Sequence, residues 1–386
     1  MHYDMYSIFC PHERPDGDFQ MKYCILERIP ERTKYNSGSK ARNDINAILT
    51  ESGVRPLNAV FRRTYPEHCP LPVKIRKHFE YADVWRKTLG KLKRGDEVFI
   101  QYPVSHGTFF LAGLLKQAGR RGVKCTAVVH DLEILRKFLN MTRNPVMRKI
   151  RFFMSGRELR AYAGMTAHNE VMKNYMTEQL HIPADRISNL QIFDYLTADS
   201  VVKPAEAVFS DPPRIIIAGN LSREKAGYVY CLPETPLFVL YGAGYDGPAA
   251  DNIDYQGTFL PDELPAHLDG MFGLVWDGPS CDTCTGIPGN YMRYNNPHKV
   301  SLYLASGIPV IIWDKAAMAS FIREHECGIL ISSLNEAGAS VEKLDRTAYT
   351  KLKKNAEQTG RLLRRGYYTR KALHLNHGQL SDTASD

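Results

Sequence analysis

The chain has 386 residues, 44% of them hydrophobic, enough for two domains of ordinary size, each with its own core. Its 50 Lys and Arg exceed its 42 Asp and Glu, and the resulting net charge of +8 suits nucleotide sugars, an anionic membrane surface or nucleic acid. No basic-aromatic module of nucleic-acid-binding spacing is present, so no nucleic-acid partner is expected, and no apolar run approaches the ~20 residues of a membrane-spanning helix.

Residues 1–20 are polar and mixed, lack the pattern of a signal peptide, and read as an irregular extension. Residues 23–27 form a short apolar run, the expected first strand. Residues 28–42 are rich in Arg, Lys, Asn, Ser and Gly and read as a loop. Asn43 or Asp44 then caps a helix through Ile45, Ile48 and Leu49 to a stop at Gly53. The next strand is expected over residues 97–101, followed by a helix over 105–119 and a strand over 124–129 that ends in His130-Asp131. In open parallel sheets ligands bind at the carboxyl ends of strands, which places His130 and Asp131 well for chemistry. Asp131 serves equally well as the cap of a following helix through residues 132–136.

Residues 136–160 carry eight basic side chains, from Arg136 to Arg160, interleaved with Phe138, Leu139, Met147, Ile150, Phe152, Phe153 and Met154. Glu158 is the one acid. The pattern fits an amphipathic element lying on a membrane surface, or a solvated helix whose apolar face joins the core. A strand over 164–168, a helix over 169–180 and a strand over 187–193 complete the first half, and the proline-containing stretch 197–213 reads as a linker.

The second half opens with a strand over 214–218 and a turn at Gly219-Asn220, followed by Ser222-Arg223-Glu224-Lys225. A glycine turn after a strand with a basic group close by is a common way to hold phosphate oxygens. Strands are expected over 237–241, 255–259 and 272–276, with a helical turn at 265–268. The most informative stretch is 290–314. Asn296 suits a helix cap, Pro297 the first helical position, Gly307 a left-handed stop, and residues 308–313 a strand covered on both faces. Lys299 falls in the first turn of this helix, where the dipole disfavours a cation. Either its ammonium snorkels to solvent, or it neutralises an anion resting on the helix N-terminus. His298 and Arg293 add basic groups nearby, and a diphosphate is the natural anion. A helix over 318–326, a strand over 328–332 and one long basic helix over 349–375 close the reading, with a fraying polar tail at 376–386. The strand-helix alternation of both halves indicates two doubly wound α/β domains.

The eight cysteines are scattered, mostly within apolar runs, as expected of reduced, buried thiols in a cytosolic protein. Cys281-Asp-Thr-Cys284 is a lone CxxC without the partners that a zinc site requires, so no metal is expected.

The motifs Ala218-Gly219-Asn220-Leu221-Ser222-Arg223, Trp276-Asp277-Gly278, Asp282-Thr283-Cys284 and Tyr294-Asn295-Asn296-Pro297-His298-Lys299 resemble a family of bacterial sugar transferases with the GT-B fold. The family includes O-antigen β-1,6-galactofuranosyltransferases and the glucosyltransferases that extend GlcNAc on serine-rich adhesins. Lys40-Ala41-Arg42-Asn43-Asp44, Val129-His130-Asp131 and His168-Asn169 in the first half belong to the same resemblance, whereas residues 1–20 and 136–160 do not match well.

The resemblance implies two Rossmann-like domains facing a cleft. An acceptor-side domain would span 1–205, a nucleotide-sugar domain 206–360, and a helix crossing back with the tail 361–386. It implies Gly219, Asn220 and Arg223 beside the diphosphate, Thr258 and Phe259 at the base, and Asn296 and Lys299 on diphosphate or ribose, with Tyr294 in the same motif. Helix 297–306 lacks the glutamate that many GT-B enzymes place on the ribose, which leaves Lys299 or Ser301 for that contact. Asp131 is the first choice of catalytic base, with Glu133 and Asp44 as alternatives. The resemblance implies an inverting reaction; no DxD-like pair stands out, and fixed positive charge at a helix terminus can stabilise the leaving group, so metal independence is expected. The implied reaction moves galactofuranose, or alternatively glucose, from a UDP-sugar that is a substrate rather than a cofactor. The implied acceptor is a glycan, lipid-linked or protein-linked. A catalytically silent sugar- or nucleotide-binding subunit is the reading from a different class. The scattered thiols point to a cytoplasmic location and the basic, aromatic stretch 136–160 to peripheral membrane contact, while the adhesin-modifying relatives imply a homo-oligomer.

Overall fold

In each half of the chain a six-stranded sheet, parallel throughout, is built from short apolar strands separated by helices. The computed structural model describes residues 20–28, 37–62, 65, 70–138 and 145–375. The expectations for residues 1–19 and for the tail at 376–386 lie outside these described residues, as do residues 29–36 of the expected loop and 139–144 of the basic stretch.

The first half runs β1 (Lys22–Arg28), α1 (Ser37–Glu51), β2 (Arg55–Val60), α2 (Leu71–Gly90), β3 (Glu97–Tyr102) and α3 (Leu111–Arg120). It continues through β4 (Lys124–Val129), α4 (Glu133–Phe138), α5 (Pro145–Leu159), β5 (Gly164–Ala167), α6 (Glu170–Leu180) and β6 (Ile187–Asn189). Its strand order is β2-β1-β3-β4-β5-β6. Right-handed crossovers put α2, α3, α5 and α6 on one face and α1 on the other. The two cores agree with that division. Trp85, Leu115, Leu159 and Met172 share one cluster, and Ile45 and Leu49 share the other with Leu373 from the far end of the chain.

A short helix, α7 (Ala205–Val208), lies in the connection to the second half. There follow β7 (Arg214–Ala218), α8 (Arg223–Ala226), β8 (Leu237–Tyr241), β9 (Ile253–Tyr255), α9 (Leu264–His267), β10 (Phe272–Val275) and α10 (Gly286–Tyr291). Then come α11 (His298–Ala305), β11 (Val310–Trp313), α12 (Ala319–Glu324), β12 (Gly328–Ile331) and α13 (Ala337–Glu342). The strand order is β12-β11-β10-β7-β8-β9. Its central strands are buried along their length, as parallel strands covered on both faces require.

The expected long terminal helix is two helices, α14 (Arg346–Arg364) and α15 (Tyr367–Ala372), broken at Gly366, whose φ is +66°. The break returns the chain to the first half. Arg370 bonds to Glu51 at 2.9 Å, and the Asp194 carboxylate accepts the Tyr368 and Thr369 amides at 3.2 and 2.7 Å.

Several local expectations are corrected. Helix α1 begins at Ser37, so Asn43 and Asp44 lie inside it rather than at its cap. No element was expected between Gly53 and residue 97, yet β2 and the 20-residue α2 occupy that span. Helix α3 starts at Leu111 rather than at 105, because the amides of Ser105 and His106 donate to the Glu27 carboxylate, both at 2.8 Å. Strand β6 stops at Asn189, and Gln191 turns the chain with φ of +69°. Cys231 is exposed, unlike the other described thiols, and its sulfur lies 2.8 Å from that of Cys281. Cys281 therefore faces a residue outside the CxxC rather than Cys284.

Candidate functional site

The carboxyl ends of the two sheets face each other across a cleft of about 970 Å³. One wall carries Lys40 and Arg42 from α1, Pro103 after β3, His130 and Asp131 after β4, and His168 after β5. The opposite wall carries Gly219 and Asn220 after β7, Gly242 to Gly244 after β8, Thr258 to Pro261, Glu263, Asp277 after β10, and Asn295 to Lys299 leading into α11.

The second wall is shaped by backbone. Gly219 and Gly242 have φ of +125° and +146°, and a Cβ on Gly242 would fall 1.7 Å from the Gly219 carbonyl oxygen. Only glycine permits that approach, and it leaves a bare floor at the ends of β7 and β8. Lys299 Nζ stands beside this floor, 3.3 Å from Asp277 Oδ1 and 3.3 Å from the Trp276 carbonyl. Lys225 Nζ reaches the other Asp277 oxygen at 2.6 Å. Two ammonium groups thus share one carboxylate beside the N-terminus of α11, and their excess positive charge adds to the helix dipole. Lys299 turns into the cleft rather than snorkelling to bulk solvent. His298 supplies no charge. Burial, then the nearby Lys40 and His168, lowers its imidazole to about 4, so it is neutral at pH 7. Among the described residues its buried Nε2 has no hydrogen-bond partner.

On the first wall Asp131 Oδ1 accepts a hydrogen bond from Tyr291 Oη at 3.0 Å, and the same hydroxyl accepts from the Leu132 amide at 3.1 Å. Tyr291 comes from α10 of the second half, yet it packs in the core of the first. Arg42 donates to the Pro103 carbonyl at 2.6 Å. Burial lowers its pKa, against the opposing fields of Glu27 and Asp131, so a guanidinium flanks the Asp131 carboxylate. His130 Nε2 pairs with Gln101 Oε1 at 2.7 Å, and burial followed by the Arg42 charge holds it well below its ordinary value.

The structure brings together Asp131, Gly219, Asn220, Thr258, Phe259, Asn296 and Lys299 on one cleft. It separates others from it. Asp44 is buried against Lys40 at 2.5 Å and accepts the Leu196 amide at 3.1 Å, so its carboxylate serves the fold. Glu133 sits in the first turn of α4 and does not line the cleft. Arg223 points outward, pairs with Asp246 at 3.2 Å and covers the Tyr230 ring. Arg293 lies over Trp313. Tyr294 packs edge-on against Tyr175, and its carbonyl accepts from Asn169 at 2.9 Å. Ser301 donates to the Phe193 carbonyl at 2.6 Å, which withdraws its hydroxyl from ribose recognition.

Asn296 lines the cleft, but its amide is committed to the first half. It accepts from Asn169 Nδ2 at 2.7 Å and donates to the His168 and Gln191 carbonyls at 2.6 and 3.0 Å. It is not the helix cap. Pro297 holds that position, one residue later than expected. Arg42, Lys225, Asp277, Glu263 and Tyr291 had no assigned role in the sequence reading. The first three lie within quoted motifs or beside them; Glu263 and Tyr291 carry no local signal. Among the described residues the Glu263 carboxylate makes no hydrogen bond or ion pair.

Two family models match, the N-terminal domain of glucosyltransferase 3-like proteins over residues 22–184 and the C-terminal domain over residues 215–375. The chain is 38% identical over 212 residues to β-1,6-galactofuranosyltransferase WbbI of Escherichia coli, a match covering 54% of this chain and 61% of that protein. It is 23% identical over 348 residues to glucosyltransferase 3 of Streptococcus gordonii, covering 86% and 92%. In fold it is similar to the sucrose-phosphate synthase of Thermosynechococcus elongatus, with a TM-score of 0.60 at 12% identity over 92% of this chain and 97% of that one. Anabaena Alr3699/HepE, solved in complex with UDP, gives a TM-score of 0.57 at 11% identity over 92% and 98%. With both halves of one family matched in order, on two Rossmann-like domains facing a cleft, the chain belongs to the glucosyltransferase 3-like family and has the GT-B fold.

Proposed function

We propose that this chain is a UDP-sugar-dependent hexosyltransferase that moves galactofuranose to a sugar hydroxyl of a cell-envelope glycan, with inversion and without a metal. The observation that carries the reading is the opposition of Asp131 on one wall to the Lys299–Asp277–Lys225 array on the other. The UDP diphosphate would rest over Gly219 at the N-terminus of α11, where the two ammonium groups and the helix amides offset its charge. Asp131 would take the proton of the acceptor hydroxyl as that oxygen attacks the anomeric carbon. The bond from that carbon to the diphosphate oxygen breaks, and UDP leaves with the electron pair. Glu263 is the acid on the second wall able to accept the ribose hydroxyls, the role that helix α11 leaves open.

The 38% identity to a galactofuranosyltransferase supports the donor. The longer but weaker match to glucosyltransferase 3 supports UDP-glucose as the second reading. The deciding assay is UDP release over a donor panel, including UDP-galactofuranose made in place from UDP-galactose by a mutase, with a glucoside and a GlcNAc glycoside as acceptors. Release that requires the mutase supports galactofuranose. Release with UDP-glucose and the GlcNAc acceptor moves the assignment to glucose, and tight UDP binding without turnover from any donor leaves either an acceptor outside the panel or a silent partner subunit. Turnover is expected to survive EDTA, and its loss would refute metal independence. Asp131→Asn is expected to lower turnover at least ~100-fold with UDP affinity nearly unchanged. Normal turnover in that variant eliminates Asp131 as the base.

A further inference from the structure

The outer face of the first half carries a concentration of exposed apolar side chains that its own fold does not use. On α2, Leu71, Ile75 and Phe79 recur every four residues along one stripe and are 50–69% exposed. Phe109 is 62% exposed just before α3 and packs tilted against His78 of α2, and Phe79 meets Phe110 at 5.2 Å between ring centroids. Ile150 and Phe153 on α5 are exposed in the same helical layer, since α3 packs against both α2 and α5. An apolar face of this extent marks an interaction surface rather than the scatter of a solvated helix.

Its charge indicates the partner. Lys74, Lys116, Lys149 and Arg157 are exposed across the same three helices. The acids of α2 are engaged locally, Glu80 by Arg76 at 2.7 Å and Asp83 by Lys87 at 2.7 Å. A second copy docking through this face would bring like charges together, whereas an anionic lipid surface complements both the rings and the cations. The patch also borders the cleft. Phe109 and Phe110 end the loop whose Pro103 lines the acceptor wall.

We propose that the exposed face of α2, the entry to α3 and α5 docks on an anionic membrane surface and presents a lipid-linked acceptor to Asp131. This extends the contact expected of residues 136–160 to α2 and α3, which the sequence alone did not implicate. It rests on the acceptor-side role of the first half, but vesicle binding and UDP release are separate readouts, so either can fail alone.

The test is flotation of the full chain with vesicles of phosphatidylglycerol and phosphatidylcholine, against phosphatidylcholine alone. At low salt the wild type is expected to partition at least ~10-fold more to the anionic vesicles, and to be released at about 0.5 M NaCl. Phe79→Ser/Phe109→Ser is expected to lower that partitioning at least ~10-fold. Lys74→Gln/Lys149→Gln should lower it about 25-fold, each surface cation contributing about fivefold. Both double variants should keep wild-type turnover on a soluble acceptor and a wild-type circular dichroism spectrum. The charge variant tests the proposal even if the aromatic variant fails to fold. A wild type that ignores anionic vesicles overturns the proposal, as does binding that both variants retain. A concentration-dependent dimer that Phe79→Ser/Phe109→Ser dissolves, without vesicle binding, would assign the face to a second copy instead.

Discussion

Tyr291→Phe removes one oxygen atom and leaves the ring in place. That ring is 5% exposed and packs in the core of the half to which it does not belong. What is lost is the 3.0 Å hydrogen bond to Asp131 and the 3.1 Å bond from the Leu132 amide. A hydrogen bond to an ionised carboxylate contributes about 1.5–3 kcal/mol. Asp131 is only partly buried, so water recovers some of that and the lower end applies. A loss of about 1.5 kcal/mol in holding the base corresponds to roughly a tenfold fall in kcat. The unpaired Leu132 amide adds a penalty to the fold, expected as a fall in Tm of a few degrees. UDP affinity, measured by calorimetry, should stay within about twofold, because Tyr291 lies across the cleft from Lys299. The measurement is kcat by UDP release beside that calorimetric Kd. A kcat within twofold of wild type, with the fall in Tm present, would refute a positioning role. An equal loss of UDP affinity would show that the substitution damages the cleft as a whole.

Lys299→Ala is expected to weaken UDP binding about 10- to 100-fold, the worth of one charge-assisted contact, and unchanged affinity would remove Lys299 from the diphosphate site. Gly242→Ala forces a Cβ against the Gly219 carbonyl at a positive φ and should cost more than about 3 kcal/mol, read as insolubility or a markedly lower Tm. Gly113→Ala, where a Cβ meets nothing within 4 Å, should be neutral or slightly stabilising, and similar effects at both positions would contradict the close-approach argument. The imidazole of His298, lowered to about 4 by burial, should show no NMR titration above about pH 5. Because its folded pKa is depressed, its contribution to stability is complete above 6.5 and is lost as pH falls towards about 4. A titration midpoint near 6.5 would show that the ring is open to water.

The central strands were legible because parallel strands buried on both faces read as unbroken apolar runs, as in β4 and β7. Strand β2 escaped notice because it is an edge strand with Ala59 its one buried residue, and it carries Pro56 and Asn58. Helix α2 escaped because part of its apolar set faces outward, which blurs the periodicity that marks an amphipathic helix. Capping residues misled twice. Asn43 and Asp44 lie within α1, and Asn296 serves partners from the other half of the chain. Local rules find capping-competent side chains, but burial and distant partners decide their use. The same limit governs the site. Lys299 and Asp131 followed from where helices begin and strands end, whereas Tyr291 meets Asp131 across 160 residues of sequence.

The polar contacts between the halves differ in how they would respond to force. Asn296 on His168 and Gln191, Ser301 on Phe193, and Asp194 on the start of α15 are largely buried, and together they act as an axle. The Lys40–Asp262 pair at 3.0 Å spans the halves with its carboxylate 67% exposed, and acts as a latch that salt can loosen. The Tyr291–Asp131 contact at 3.0 Å is a further tie across the cleft, between a hydroxyl from α10 and a first-half carboxylate. Salt that breaks the exposed latch therefore acts at the rim of the cleft alone, while the buried axle keeps the two walls in register.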